Sequence, residues 1–424
     1  MNKKIFLFGI VAISLLLVAI TMKLFHIPNY SIVIVLGIIV FLFVEIPLYI
    51  QHLNRSVLTS KTYTLFTFLF LFSCILSLFF ALQDLFIPEK ISIIFTIVIT
   101  IFTILLITRR LTNNLLSLKK ISFIHIYIVF LLVMLINLPI QIQAPDYSYH
   151  PNIEMPAYER GSGSIICFDE GHNNFHTLED RLSSTGELLK DDGYKTLSIN
   201  GDISLDKLKK GKILVIINAL NRKNMNWEKP IFSAFTEQEI SDISQWVYEG
   251  GSLLLIADHM PFPGAINKLV NKFDFNFENG HAKDTIGKPD YFIKKQKTLH
   301  DNIITKGRNS NESVDSVLTF SGSAFSIPDD ATSILEFDST WVSYNTNSAW
   351  DFNNIKPFSI KEYSQGAFKK FGKGRVVVYG EAMMFTAQLG AGLSWIKMGM
   401  NSNKCPQNYQ LLLNTIHWLD GLMD

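Results

Sequence analysis

The first 140 residues consist of long apolar stretches separated by short polar breaks. A helix that crosses about 30 Å of hydrocarbon needs roughly 20 apolar residues, because each residue rises about 1.5 Å. Five stretches approach or reach that length: Ile5–Met22, Ser31–Ile50, Tyr63–Leu82, Ile91–Thr108 and Ile121–Pro139. The pattern predicts a membrane region over residues 1–140 that forms an α-helical transmembrane bundle of about five helices, with four as the fallback count.

Residues 164–424 show a different pattern, in which apolar strands alternate with amphipathic helices. The strand candidates are Ser164–Phe168, Lys195–Ile199, Lys212–Ile217, Ser252–Ala257 and Arg375–Tyr379. Helices are predicted over Thr177–Asp192, from a capping box at Thr236 through Glu249, and over Gln407–Leu422. Fully apolar strands are typical of buried parallel sheets. The alternation therefore predicts a doubly wound, mostly parallel α/β sheet with helices on both faces.

Two segments fall outside this alternation. Residues 141–163 are rich in Pro, Tyr and Asn and show no helical or strand period, which predicts a tether. Between about residues 273 and 365 the pattern breaks into short strands, such as Ser316–Phe320 and Ser333–Phe337, with Asn-, Asp- and Ser-rich turns. We interpret this second segment as an irregular insertion or an antiparallel edge of the sheet.

Charge divides the chain at the same place. Residues 1–144 contain 10 Lys/Arg and 3 Asp/Glu, whereas the rest contains 28 Lys/Arg and 34 Asp/Glu. The net negative charge of the second part argues against a nucleic-acid partner. In the first part, Lys and Arg concentrate in alternate loops, as they do in short cytoplasmic loops. With five spans, this predicts an integral protein of the cytoplasmic membrane with a cytoplasmic N-terminus and an extracytoplasmic C-terminal domain.

Polar side chains follow three of the predicted parallel strands, at the edge where ligand sites of open α/β sheets lie. They are Asp169, Glu170 and His172 after the first strand, Asp258 and His259 after the fourth, and Glu381 after the fifth. His176 comes four residues after His172, and a helix beginning near Asn173 would place both histidines on one face. These residues are therefore predicted to line one cavity.

Three interpretations of these side chains stay open. In the first, a divalent metal such as zinc is held, since imidazole and carboxylate are its ligands; the candidates are Asp169, His172, His176, Asp258 and His259. In the second, a metal-free pocket uses a histidine as general base; the candidates are Glu170, His172, Asp258, His259 and Glu381. In the third, the aspartates cap helices and the histidines satisfy buried polar partners.

Four segments carry a family resemblance: DEGHNNFH at Asp169–His176, IADHMPFPGA at Ile256–Ala265, GKGRVVVYGEAMMFTAQ at Gly372–Gln388 and QNYQLLLNTIHWLDG at Gln407–Gly421. Together they resemble an uncharacterised bacterial domain family of the class I glutamine amidotransferase-like superfamily. The resemblance covers residues 164–421 and implies a flavodoxin-like sheet, here fused to an N-terminal multi-span membrane region.

The same resemblance implies little about activity. True amidotransferases carry a nucleophilic Cys on a sharp turn after a central strand, with His and Glu completing a triad. In this sequence the corresponding turn reads Asp258-His259-Met260 and offers no Cys, Ser or Thr. Superfamily members without the nucleophile are often binding or assembly modules.

Two functions are therefore expected. One is a membrane-anchored extracytoplasmic α/β domain whose His/carboxylate pocket hydrolyses an envelope-related small molecule. The alternative is a non-catalytic ligand-binding or assembly module of a membrane complex. The concentration of His and carboxylates favours the first, and the missing nucleophile favours the second. The expected partners are the membrane, proteins of a membrane complex and a small-molecule ligand.

Overall fold

A computed structural model describes residues 143–390 and 396–424, together with isolated positions between residues 10 and 40. The chain divides into two compact units, and the second, Ala144–Gln388 with Lys397–Asp424, contains nearly all of the described residues. The five spans predicted between Ile5 and Pro139 lie almost wholly outside the described part.

The predicted transmembrane bundle is corrected by the structure. No helix of the described part is long and apolar enough to cross a membrane. The longest helix whose bounds are described, Asn408–Asp420, has 13 residues, whereas a span needs about 20. The multi-span region fused to the domain, the membrane anchor and the location in the cytoplasmic membrane are therefore not supported. What the structure describes is an α/β sheet domain.

The regular elements of the described part are short. The α-helices α1 to α6 are Ser183–Asp191, Leu205–Leu208, Glu237–Tyr248, Phe262–Val270, Ile303–Lys306 and Asn408–Asp420. Single 3-10 turns occur at Arg222–Asn224, Asn271–Phe273, Lys294–Gln296, Ser310–Glu312 and Met383–Phe385. The strands β1 to β17 are Gln143–Pro145, Ile165–Asp169, Lys195–Ile199, Ile213–Ile217, Ser252–Ile256, Asn276–Phe277, His281–Asp284, Tyr291–Ile293, Ser316–Leu318, Phe325–Ser326, Thr332–Glu336, Trp341–Tyr344, Phe358–Ser359, Ser364–Phe371, Gly374–Tyr379, Ala387–Gly390 and Ile396–Gly399.

The main sheet has nine strands, with the order β3-β2-β4-β5-β15-β14-β10-β6 and β11 paired with β14. The strands from β3 to β15 in this order are mutually parallel. In chain order they run 2-1-3-4-5, which is the flavodoxin-like arrangement. The strands beyond β15 are antiparallel and extend one edge.

Alternate residues of the parallel strands pack into two separate cores, one on each face of the sheet. Leu254 belongs to a core with Leu188 of α1 and Leu412 of α6. Leu255 belongs to the other core, with Ile243 of α3 and Leu269 of α4. Because helices cover both faces, every central strand is apolar on both sides, as the sequence pattern indicates.

The predicted insertion contains β6 to β13, most of which pair in antiparallel ladders. The segment predicted to be a tether packs against the domain, since Tyr149, Ile153, Ala157 and Tyr158 contact the core of α1 and α6. The hydroxyl of Tyr158 donates to Asp420 at 2.6 Å, and this bond holds the segment against the end of α6.

Candidate functional site

The carboxyl ends of β2, β5 and β15 lie along one edge of the parallel sheet and carry the predicted site residues. Their contacts divide these residues into three groups: a histidine held between two carboxylates, a pair of coupled carboxyl groups, and two stacked histidines.

In the first group, the imidazole of His172 lies between two buried carboxylates. Its Nδ1 contacts Asp169 Oδ1 at 2.8 Å, and its Nε2 contacts Glu239 Oε1 at 3.0 Å. Burial alone would lower the pKa of His172, but the bond to Asp169 and the charges of both carboxylates raise it above its ordinary value. Because both ring nitrogens are engaged, His172 has no free position for a metal or a substrate proton.

Glu239 joins this group from a distant part of the chain. Its Oε2 accepts hydrogen bonds from the backbone N–H and the hydroxyl of Thr236, which completes the capping box of α3. Its Oε1 also accepts the N–H of Ile203 at 2.9 Å. The His172 contact therefore ties the loop after β2 to the start of α3, which is a structural task. The neighbouring Glu170 is engaged in the same way and accepts the N–H of Leu178 at 2.6 Å.

His176 does not share a helical face with His172, contrary to the sequence prediction. Asn173 has a φ of 45°, and α1 begins only at Ser183. His176 is buried, and its Nδ1 accepts a hydrogen bond from the Asn218 side chain at 3.1 Å. Burial lowers the pKa of His176 to about 3, so the ring is neutral near pH 7.

Asn218 connects the loops that follow β2 and β5. It is fully buried directly after β4, with a φ of 47° that Asn tolerates better than most residues. Its Nδ2 donates to His176, and its Oδ1 accepts the N–H of Asp258 at 2.8 Å. One amide side chain thus fixes the backbone of Asp258 relative to the imidazole.

The second group is the pair Asp258 and Glu381. The fully buried Glu381 accepts the N–H groups of Met383 at 2.6 Å and Met384 at 2.8 Å. Burial and the negative charge of Asp258 nevertheless raise the pKa of Glu381 well above its ordinary value. Burial also raises the pKa of the half-buried Asp258, whose Oδ1 accepts the N–H of His259. Both shifts favour the protonated forms of these two carboxyl groups.

The third group is a stacked pair of histidines. The rings of His259 and His281 are 4.5 Å apart and 11° from parallel. The Nδ1 of His259 donates to the carbonyl of Met260 at 2.8 Å. His281 comes from the insertion, on β7, and is only 2% exposed, yet neither of its ring nitrogens has a hydrogen-bond partner in the described part of the chain. Burial and the nearby His259 lower the pKa of His281 to about 3, so it is a neutral imidazole.

Aromatic side chains surround the histidine pair. Trp350, in the segment between β12 and β13, lies 4.4 Å from His259 and 4.9 Å from His281 between ring centroids, and it is 57% exposed. Phe352 lies 5.1 Å from His281, and Trp227 lies 5.9 Å from His259. We call His259, His281, Trp350 and Phe352 the histidine pocket. It is the place at this edge where buried polar atoms lack partners beside an exposed aromatic face.

The predicted metal ligands do not fit a zinc ion. Within the described part, no group of three or more His, Cys, Asp or Glu side chains is placed to hold a metal. Both nitrogens of His172 contact carboxylates, and the Nδ1 of His176 is bonded to Asn218. A tetrahedral zinc site needs free donors that converge on one point.

Four residues of this edge were not among the candidates from the sequence: Asn218, Glu239, His281 and Trp350. The capping box identified Glu239 as a helix cap, but nothing local indicates its contact with His172, 67 residues earlier. His281 and Trp350 lie in the irregular segment, where no periodicity predicts which strands pair.

No protein-family model and no curated protein matches the chain. Solved structures give distant likenesses only. An IFT52 N-terminal domain, described as mmIFT52, has a TM-score of 0.43 at 14% identity, covering 60% of this chain and 97% of that chain. The cytoplasmic protein STM3548 from Salmonella typhimurium has a TM-score of 0.35 at 12% identity, with coverages of 60% and 98%. A ThuA-like protein from Bacteroides uniformis has a TM-score of 0.33 at 10% identity, with coverages of 64% and 94%. These likenesses are too distant to assign a function.

Proposed function

We propose that the domain is a ligand-binding module whose site is the histidine pocket. The observation that carries this proposal is His281, a buried imidazole with two unpartnered ring nitrogens beside the exposed face of Trp350. Leaving a buried polar group unsatisfied costs about 1–3 kcal/mol, so such groups in a native fold usually serve another purpose. A bound ligand that pairs both nitrogens would recover this cost.

The neutral charge state of His281 restricts the chemical class of ligand that can pair with its ring nitrogens. A neutral imidazole has one N–H donor and one acceptor nitrogen, so its ligand must both accept and donate hydrogen bonds. Hydroxyl groups do both. The exposed ring of Trp350 offers a flat apolar surface for the rest of the ligand. We infer a neutral, ring-shaped molecule that carries hydroxyl groups, such as a monosaccharide.

Access to His281 requires a small movement. Its ring nitrogens are covered in this structure, and Trp350 and Phe352 are the exposed or partly exposed side chains in contact with the ring. Both belong to the segment between β12 and β13, which lies at the surface. We infer that this segment moves aside when the ligand enters.

Hydrolysis is the second candidate, and one observation favours it. Burial raises the pKa of Asp258 and of Glu381, and a raised carboxyl pKa is what a general acid needs near neutral pH. Against it, the oxygens of Glu381 accept two backbone N–H groups, as in a helix cap. The turn after β5 also has no nucleophilic hydroxyl or thiol. Binding is therefore the better supported function.

The test measures the intrinsic fluorescence of the full chain during titration with neutral hexoses and with 4-nitrophenyl glycosides. A saturable change that is lost in Trp350→Ala and His281→Phe supports the binding module. Phe358→Ala, a matched control at an exposed aromatic residue of β13, should keep the response. No response up to about 100 mM, well above the roughly 1 mM that corresponds to 4 kcal/mol of binding, would overturn the proposal. Release of nitrophenol that disappears in Asp258→Asn would establish the hydrolytic candidate instead.

A further inference from the structure

A cavity lies on the side of the domain covered by α6, away from the histidine pocket. Its volume is about 650 Å³, and it is lined by residues 151–155, by residues between 308 and 312 and by α6. It reaches Asp192, which lies at the end of α1 just before β3, whereas the histidine pocket lies beyond the carboxyl ends of the strands. Cavities of this volume are typical of small-molecule sites. We call it the α6 cleft.

A buried histidine in its wall has one engaged and one unengaged nitrogen. The Nε2 of His417 contacts Asp192 Oδ2 at 2.6 Å, and the side chain is 1% exposed. A carboxylate only accepts hydrogen bonds, so this contact places the imidazole proton on Nε2. In the neutral ring the Nδ1 is then an acceptor, and it has no hydrogen-bond partner among the described residues.

The nearest charged oxygen to that nitrogen is also an acceptor. Glu312 Oε2 lies 3.9 Å from His417 Nδ1, which is too far for a direct hydrogen bond. One donor atom can lie within hydrogen-bond distance of two acceptors at this separation. A nitrogen with several N–H groups satisfies this geometry.

The charged side chains of the α6 cleft determine which ligand charge it favours. Three carboxylates line it, those of Glu154, Asp192 and Glu312, against a single Lys or Arg side chain, Arg308. The guanidinium of Arg308 already donates hydrogen bonds to both carboxylate oxygens of Glu312 and to the carbonyl of Met155. Glu154 is exposed and forms no ion pair within the described part of the chain. The balance favours a cation over an anion.

We propose that the α6 cleft binds a small organic cation with an ammonium group, whose N–H groups bridge His417 Nδ1 and Glu312 Oε2. The carboxylate of Glu154 at the mouth attracts the cation. The half-buried ring of Tyr409, which also lines the cleft, provides an aromatic surface for it. Because Nδ1 is covered in this structure, the ammonium enters by displacing the Glu312 side chain slightly from the imidazole.

The experiment titrates the full chain with 1,4-diaminobutane and follows the imidazole ¹⁵N signals by NMR. The diamine should bind saturably and shift the Nδ1 signal of His417, whereas 1,4-butanediol and succinate of the same length should not. Glu312→Gln should weaken diamine binding by about tenfold, which corresponds to about 1.4 kcal/mol.

A surface variant keeps the test independent of the buried network. Glu154→Gln removes the exposed carboxylate and should weaken diamine binding several-fold, while Glu159→Gln, an exposed carboxylate outside the α6 cleft, should leave it unchanged. Thermal unfolding of each variant verifies folding. Equal binding of the diol or of succinate, an unmoved His417 signal, or identical behaviour of the two surface variants would each overturn the proposal.

Discussion

The ring of His259 lies parallel to the ring of His281, with centroids 4.5 Å apart and planes 11° from each other. The two histidines differ in their hydrogen bonding. His259 is held by its bond to the Met260 carbonyl, whereas His281 has no polar partner for either nitrogen. The proposed site thus contains one histidine whose ring is held by a hydrogen bond and one whose ring nitrogens are unpaired. This asymmetry determines how substitutions should behave.

Replacing His281 with Phe should stabilise the unliganded protein by about 1–3 kcal/mol, because two buried, unpaired nitrogens are removed. Its effect should depend on pH. The pKa of His281 is lowered to about 3 in the folded state, so the unfolded chain takes up a proton first as the pH falls below about 6.5. The wild type should therefore lose stability on acidification more steeply than His281→Phe, as measured by urea unfolding.

His176→Phe is the matched comparison for that prediction. His176 is also buried and neutral, but its Nδ1 accepts a hydrogen bond from Asn218. Removing it should lower the free energy of unfolding, because the Asn218 amide loses its partner. If both Phe variants change stability in the same direction, the unpaired nitrogens of His281 are not the cause.

His172→Gln should lower the free energy of unfolding by about 3 kcal/mol at about pH 6, because Asp169 and Glu239 lose the buried cation between them. These partners raise the pKa of His172, so its contribution is complete below the ordinary pKa of about 6.5. The contribution is lost as the pH rises through the folded-state pKa. The gap between wild type and variant in urea unfolding should therefore narrow at higher pH.

The exposed His150 provides the control, and His150→Gln should change stability by less than about 0.5 kcal/mol. If the difference in free energy of unfolding between the wild type and His172→Gln widened with rising pH, it would contradict the arrangement of a protonated imidazole between two carboxylates.

The sheet could be predicted from the sequence because burial on both faces leaves a strong local signal. The apolar runs at Lys212–Ile217 and Ser252–Ala257 correspond to β4 and β5 within one residue, and the capping box locates the start of α3. The helix expected from Thr177 begins only at Ser183, because the intervening loop is held by polar contacts such as that of Glu170 with Leu178. Periodicity does not report such bonds.

The candidate site was less predictable, because its contacts join residues far apart in the chain. Asp258 and Glu381 follow adjacent strands, so topology places them together. His281 pairs with Tyr344 across two strands of the insertion, and no local pattern specifies that register. The candidates from the sequence follow the carboxyl ends of β2, β5 and β15, and their contacts divide them into three groups. Which of these side chains have hydrogen-bond partners depends on residues far away in the chain, which only the fold brings into contact.

Asp258→Asn should reduce the pH dependence of stability. Burial and the charge of Asp258 raise the pKa of Glu381, so the folded state binds a proton that the unfolded chain releases above about 4.5. The resulting stability is present at low pH and is lost as the pH rises through the folded-state pKa. Without the negative charge of Asp258, the pKa of Glu381 should fall, and the loss of stability above about pH 4.5 should be smaller.

Urea unfolding at several pH values measures the slope of the free energy of unfolding against pH. The exposed Asp202 provides the control, and Asp202→Asn should leave the slope unchanged. A slope for Asp258→Asn equal to that of the wild type would show that the two carboxyl groups titrate independently.

Asn218→Asp tests the link between the loops after β2 and β5. The new carboxylate can still accept the N–H of Asp258, but it presents an acceptor to the Nδ1 of His176, where the amide donated. The imidazole must then carry its proton on Nδ1, and the adjacent negative charge favours the cationic form. The pKa of His176, about 3 in the wild type, should rise toward its ordinary value of about 6.5, and stability should fall by about 1–3 kcal/mol because a carboxylate is buried.

NMR titration of the imidazole signals measures the change, and Asn200→Asp, at an exposed position before the α2 region, should leave the His176 titration unaltered. An unchanged pKa of His176 in Asn218→Asp would mean that the new carboxylate does not contact the imidazole, because a negative charge at hydrogen-bond distance raises a histidine pKa whichever oxygen faces the ring. The titration therefore tests whether the side chain at position 218 links His176 to the backbone of Asp258.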